Sequence, residues 1–138
     1  MEVEKLRNDL KLDEGIELYP YKDTVGKITI GIGRNLTDRG ITSGEAMFML
    51  NNDIAIAVSM LEVNVPWWKD MPEECQRALA NMCFNMGWPT LSKFVNMLAS
   101  LEEGQYREAA THALNSRWAM QVGARATRFA ELYKKGSI

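Results

Sequence analysis

Apolar positions repeat at helical spacing from the start of the chain. Val3, Leu6, Leu10 and Leu12 form one stripe that Gly15 breaks, predicting a first helix over residues 1–13. Residues 17–36 change character. Aromatic and β-branched residues there are interrupted by turn chemistry at Lys22-Asp23-Thr24 and Val25-Gly26, which predicts a small antiparallel hairpin or meander. Within it, Thr29-Ile30-Gly31-Ile32-Gly33 reads as one strand whose glycines admit a close neighbour. Thr42-Ser43-Gly44-Glu45 then has the form of a capping box, with Thr42 as cap and Glu45 reaching back. From there Ala46, Met49, Leu50, Ile54, Ala57, Val58 and Leu61 keep helical spacing to about Val63, and Pro66 ends the element.

Beyond that point the pattern is helical throughout. A helix over 72–86 starts near Pro72 and ends at Gly87. Further helices are expected at roughly 90–102, 105–115 and 124–135, punctuated by Pro89, Gly104 and Gly123. The order of helix, small sheet, then helices implies an α+β fold that is mostly helical. It divides naturally into a small β-containing lobe over about 15–50 and a larger helical lobe over about 60–138, which also takes residues 1–13. A length of 138 residues suits one domain built of two such lobes.

Composition narrows the class. Hydrophobic residues make up 46% of the chain and charged residues 25%, ordinary for a globular protein with a real core. No uninterrupted apolar run approaches the roughly 20 residues that span a bilayer, so membrane insertion is not expected. The N-terminus, Met1-Glu2-Val3-Glu4-Lys5-Leu6-Arg7, has no apolar signal core, so synthesis in a cytoplasm is expected.

The net charge of −2 hides an asymmetry: residues 1–104 carry 10 Lys and Arg against 16 Asp and Glu, and residues 105–138 carry 6 against 2. A basic C-terminal segment suits an anionic polymer such as cell wall or nucleic acid, but on so few charges a solvated helix face is the preferred reading. Cys75 and Cys83 fall eight residues apart in one expected helix, roughly 12 Å at the helical rise, too far for a disulfide. Both read as reduced core residues, and two Cys with one His provide no metal-ligand spacing.

The chemistry concentrates near the first helix end. Glu14 stands where the helix dipole disfavours negative charge, a setting that helps a carboxyl hold its proton if it is also partly buried. Asp23 lies in a polar turn, suited to an ionised carboxylate that accepts a proton from water. Thr29, on the following strand, offers a hydroxyl able to hold that water. A protonated acid and an ionised carboxylate are the pair that glycosidic bond cleavage uses. Gly31-Ile32-Gly33 does not extend to a dinucleotide fingerprint, because Leu36 stands where the third glycine is needed. Trp67, Trp68, Trp88 and Trp118 are read as core packing before sugar stacking, and the nine methionines as gap fillers.

Glu14-Gly, Tyr21-Lys-Asp-Thr and Thr29-Ile-Gly-Ile-Gly closely resemble the N-terminal signature of phage-type lysozymes, the T-even phage endolysin group of glycoside hydrolases. Arg77-Ala78, Asn81-Met82 and Phe84-Asn85-Met86-Gly87 resemble that family's central helix. Ser116-Arg117-Trp118, Gln121, Arg125-Ala126 and Arg128 resemble its C-terminal segment. The resemblance implies a bilobal lysozyme-like fold that needs no cofactor or metal.

It further implies hydrolysis, with inversion, of the β-1,4 bond between N-acetylmuramic acid and N-acetylglucosamine in bacterial peptidoglycan. By matching position, Glu14 would donate the proton, Asp23 and Thr29 would position the water, and Arg125 would orient the acid. Asn35, at the strand exit, and Phe84 would lie along the sugar. A lytic transglycosylase or a non-catalytic peptidoglycan-binding relative are the alternatives; the retained Asp23 and Thr29 count against the first, and Glu14, Asp23 and Thr29 together against the second. A monomer without nucleic-acid partners is expected, made in the host cytoplasm and reaching the wall after membrane breach.

Three departures stand out: Arg34 replaces the family's usual histidine, the stretch from Leu36 to Thr42 is short, and Met97 and His112 replace small polar residues. Any ion pair at Arg34 must therefore be rebuilt.

Overall fold

A computed structural model describes residues 1–137; Ile138, the last residue of the expected helical lobe, lies outside the described residues. By backbone contacts the chain divides into a first unit, Met1–Phe48, and a second beginning at Met49. Helix α1 counts with the sheet in the first unit.

In the first unit, α1 spans Val3–Glu14 and stops at Gly15, whose N–H donates to the Lys11 carbonyl. None of its residues is buried; the expected stripe of Val3, Leu6 and Leu10 is exposed. Strands β1 (Glu17–Lys22), β2 (Ile28–Gly31) and β3 (Arg34–Asn35) form an antiparallel sheet in that order. Tyr21 faces Thr29 and Lys22 faces Ile28, but the register slips between Glu17 and Tyr21. Pro20 lies in that gap and has no N–H to give to a ladder, which accounts for the slip.

The expectation of one strand over 29–33 is corrected. Gly31 and Gly33 take φ of +70° and +72°, a left-handed conformation that ends β2 and turns the chain into β3. Asn35 caps a four-residue helix, α2 (Leu36–Arg39), with its side-chain oxygen accepting the Asp38 N–H at 3.0 Å. Thr37 accepts the Ile28 N–H at 2.8 Å and Lys27 pairs with Asp38 at 3.1 Å, so α2 is stapled to β2.

Helix α3 spans Ser43–Asn64 and begins with the expected capping box. The Glu45 N–H donates to Thr42 Oγ1 at 3.1 Å, and Thr42 N–H donates to Glu45 Oε1 at 2.8 Å. Only Ala57 and Leu61 are buried along it. By length and composition alone, α3 is long and apolar enough to cross a membrane. This qualifies the sequence reading: Asn51, Asn52 and Asp53 break any continuous run, yet the average over the helix stays apolar.

The second unit is helical. A 3₁₀ turn (Trp68–Asp70) precedes α4 (Glu73–Met86), α5 (Trp88–Leu91), α6 (Val95–Glu102), α7 (Tyr106–Leu114), α8 (Arg117–Val122) and α9 (Ala124–Lys135). The expected helix over 90–102 is two, because Lys93 and Phe94 N–H groups bond three residues back in a turn. Helix α8 was not foreseen; Ser116 caps it and Gly123 ends it.

Helices α4, α6, α7 and α9 pack around a core that includes Leu79, Met82, Met97, Leu101, Phe129 and Tyr133. Ala109, Ala110 and Ala113 on α7 and Ala126 and Ala130 on α9 let those two helices approach closely. Cys75 and Cys83 are free and buried as expected, and burial pushes the Cys75 thiol up to about 11, with Glu74 adding to it. Trp68 and Trp118 are buried; Trp67 and Trp88 are half-buried.

Candidate active site

Glu14 is the last residue of α1, and Gly15 releases the chain there toward the sheet. The Glu14 side chain rests on the turn between β2 and β3. A Cβ at Gly33 would lie 2.9 Å from the Glu14 carboxyl carbon and 3.0 Å from its Oε2. Gly33 is thus fixed twice, by its left-handed backbone and by this approach. The partial burial foreseen for Glu14 is absent: the residue is exposed. It is the final residue of a helix whose apolar positions are themselves exposed.

Asp23 sits where β1 turns toward β2. Its Oδ1 accepts the N–H of Val25 at 2.9 Å and of Lys27 at 2.8 Å, an Asx-type turn that follows from Asp-Thr-Val-Gly. Thr29 is the buried residue of β2, and its hydroxyl donates to the Lys27 carbonyl at 3.2 Å. Asp23 and Thr29 therefore converge on one residue, Asp23 taking the Lys27 N–H and Thr29 its C=O. Among the described residues, Asp23 Oδ2 has no hydrogen-bond partner. The Thr29 oxygen keeps lone pairs able to accept a hydrogen bond.

Asn35 is differently engaged. Its oxygen caps α2 and its Nδ2 donates to Asp38 Oδ2 at 2.9 Å, so both ends of the amide are in use. Arg34 makes a fork with Glu45, Nη1 to Oε1 and Nη2 to Oε2, each at 2.7 Å, and Nη1 also donates to the Gly40 carbonyl at 3.2 Å. The guanidinium, with Thr42 N–H, holds the Glu45 carboxyl well down, to about 2. The ion pair expected at Arg34 is thus made with Glu45, in the first turn of α3.

In the second unit, Arg125 and Phe84 line one cleft of about 300 Å³ with Leu50, Ile54, Arg77 and Asn81. Arg125 Nη2 donates to Asn81 Oδ1 at 3.2 Å, and its guanidinium carbon lies 5.9 Å from the Phe129 ring centroid. Phe84 is 42% exposed.

A larger cavity, about 740 Å³, is floored by Trp118 and Phe94 and rimmed by Lys93, His112, Arg117, Asn96 and Asn115. Trp118 stacks on Phe129 at 5.7 Å, meets Phe94 edge-on at 6.1 Å and donates Nε1–H to Asn85 at 3.0 Å. Among the described residues, no Asp or Glu lines this cavity. His112 and Met97 both line it, Met97 as a core residue with 1% exposure.

Sequence reasoning missed the Lys27 main chain, Gly33 as the wall behind Glu14, and Asn81 as the partner of Arg125. The glycine-rich strand end was the one signal for the second of these. Lys27 and Asn81 had none, since their roles come from tertiary contact.

A helix ending in a glutamate, a short antiparallel sheet with an aspartate at its first turn, and a helical unit with an aromatic-floored cavity agree with the expected α+β lysozyme-like fold. The phage lysozyme family model matches residues 11–134, and the chain belongs to that family. It is accordingly a lysozyme-type glycoside hydrolase, with peptidoglycan as its substrate class.

The chain is 30% identical over 165 aligned positions to probable T4-type lysozyme 2 of Dictyostelium discoideum, covering 99% of this chain and 97% of that protein. Probable T4-type lysozyme 1 of the same organism is 29% identical over the same coverage. The pre-baseplate central spike protein Gp5 of Enterobacteria phage T4 is 29% identical over 157 positions, 94% of this chain but 27% of that protein. An alignment of 165 positions exceeds the chain's 138 residues, so the Dictyostelium relatives carry segments this chain lacks.

Proposed function

We propose that the protein hydrolyses the β-1,4 bond between N-acetylmuramic acid and N-acetylglucosamine, with inversion at the anomeric carbon. Glu14 donates its proton to the departing glycosidic oxygen. A water held by Asp23 Oδ2 and the Thr29 hydroxyl attacks the anomeric carbon from the opposite face and gives its proton to Asp23. Arg125 orients the acid, and Phe84 and the strand exit at Asn35 bear on the sugar. Since the Asn35 amide is already paired, its contribution is through the main chain.

The observation that carries this reading is the convergence of Asp23 and Thr29 on the Lys27 main chain, which leaves one carboxylate oxygen and one hydroxyl oxygen unspent. The aromatic-floored cavity, rimmed by cations and amides, suits the polar and anionic groups of a wall strand. The rest of the reading is a monomer, made in a host cytoplasm, that meets the wall once the membrane is breached.

Lysis of chloroform-permeabilised Gram-negative cells, followed by mass analysis of the fragments, tests the reaction. Reducing ends are expected. Anhydro ends would identify a transglycosylase, and binding without fragments a non-catalytic relative.

A further inference from the structure

Arg34 is the residue after Gly33, where an added Cβ would lie 2.9 Å from the Glu14 carboxyl carbon. Its guanidinium joins three parts of the first unit. It leaves from β3, where Arg34 pairs with Ile30 across the ladder; it reaches the Gly40 carbonyl; and it grips both oxygens of Glu45 in the first turn of α3. Glu45 is tied in turn to Thr42 through the capping box. The Gly31–Gly33 turn, with two left-handed glycines, has little intrinsic preference for one shape, so the anchoring of Arg34 decides where Gly33 sits. Within the first unit Glu14 itself makes no hydrogen bond, and the Gly33 backbone is the surface it rests on.

We propose that the Arg34–Glu45 pair is a positioning clamp for the Glu14 carboxyl, acting through the Gly33 backbone. The clamp rests on the reading of Glu14 as the acid. A bidentate fork between two planar groups fixes direction as well as distance, which a lysine in the same place cannot do. The clamp also explains how a connection as short as 36–42 is compatible with the site: a single residue, Glu45, starts α3 and anchors β3.

Steady-state kinetics on a soluble peptidoglycan fragment test it in Arg34→Gln, Arg34→Lys, Glu45→Gln and Thr42→Ala, with Glu14→Gln as control. Glu45→Gln keeps a capping-box side chain but loses the ion pair. Arg34→Gln and Glu45→Gln are expected to lower kcat about ten- to hundredfold, the scale of a misplaced catalytic group, with KM little changed. Arg34→Lys should fall between them and the wild type. Thr42→Ala weakens the cap alone and should lower the Tm while keeping kcat.

Wild-type kcat in Arg34→Gln or Glu45→Gln would overturn the clamp, as would an equal kcat loss in Thr42→Ala, which would mean that stability alone is being read. Should one ion-pair variant fail to fold by circular dichroism, Arg34→Lys decides: unchanged kcat there also overturns the clamp. Retained activity in Glu14→Gln would overturn the acid assignment instead. An inactive Glu14→Gln beside a fully active Arg34→Gln would remove the clamp and leave the acid standing.

Discussion

Each of the two units of the chain is held together internally by its own kind of contact. Among the described residues of the first unit, Thr29 is the one that is buried, and the sheet, α2 and the start of α3 are joined by side-chain hydrogen bonds and ion pairs. The second unit is joined by apolar side chains, with Leu61, Leu79, Met82, Phe129 and Tyr133 fully enclosed. Each net hydrogen bond contributes about 1 kcal/mol, whereas one large core side chain contributes several. The first unit is therefore the weaker of the two and more prone to open locally. What it gains is direction: hydrogen bonds and a guanidinium fork set angles, and the proposed acid and water-holding groups all lie there. The second unit supplies a stable frame for Arg125, Phe84 and the aromatic-floored cavity.

Substitutions in each unit sharpen this contrast. Glu14→Gln is expected to lower the rate of wall hydrolysis by about 10²–10⁴, the range of general acid catalysis, with an unchanged unfolding curve. Leu101→Ala, in the core of α6, should do the reverse, costing about 2–5 kcal/mol in urea unfolding while the folded fraction keeps its activity. If Glu14→Gln instead unfolds the protein, the separation of chemistry from scaffold is wrong.

Gly33→Ala combines both effects. A side chain there is strained at φ +72° and meets the Glu14 carboxyl, so a loss of about 1–3 kcal/mol together with reduced kcat is expected. Thr42→Ala should cost about 1 kcal/mol through the lost cap.

The smallest effect is in acid. Glu45 titrates at about 2 when folded against an ordinary 4.5, so the unfolded chain takes up its proton first as the pH falls. The stabilisation from Glu45 is complete above about 4.5 and is lost between there and about 2. Amide signals of the Arg34–Glu45 region should broaden in that window before those of α4 and α9. Simultaneous loss in both regions would erase the contrast.

Legibility in the sequence followed the same division. Helix α4 was readable from its apolar spacing and from Pro72 and Gly87, because a core-facing helix writes its period into the chain. The Thr42–Glu45 box was readable because capping is local. The break at Ser92–Phe94 and the short α8 were not, since turns of three or four residues carry too little pattern. In the site, Glu14, Asp23 and Thr29 were nominated from residue type and family resemblance. Their arrangement was not readable: the Lys27 main chain between Asp23 and Thr29, and Gly33 against Glu14, exist only once the sheet has formed. Arg34 was visible as a departure from the family, but Glu45, eleven residues on, had already been accounted for as a cap.

The central claim is that Glu14 and a water held by Asp23 and Thr29 cleave the bond in a single displacement. Proton NMR of the first products from a soluble β-linked peptidoglycan fragment tests this directly. The account predicts that the α-anomer of the new reducing end accumulates first and then mutarotates; the β-anomer first, or a 1,6-anhydro end, would contradict it.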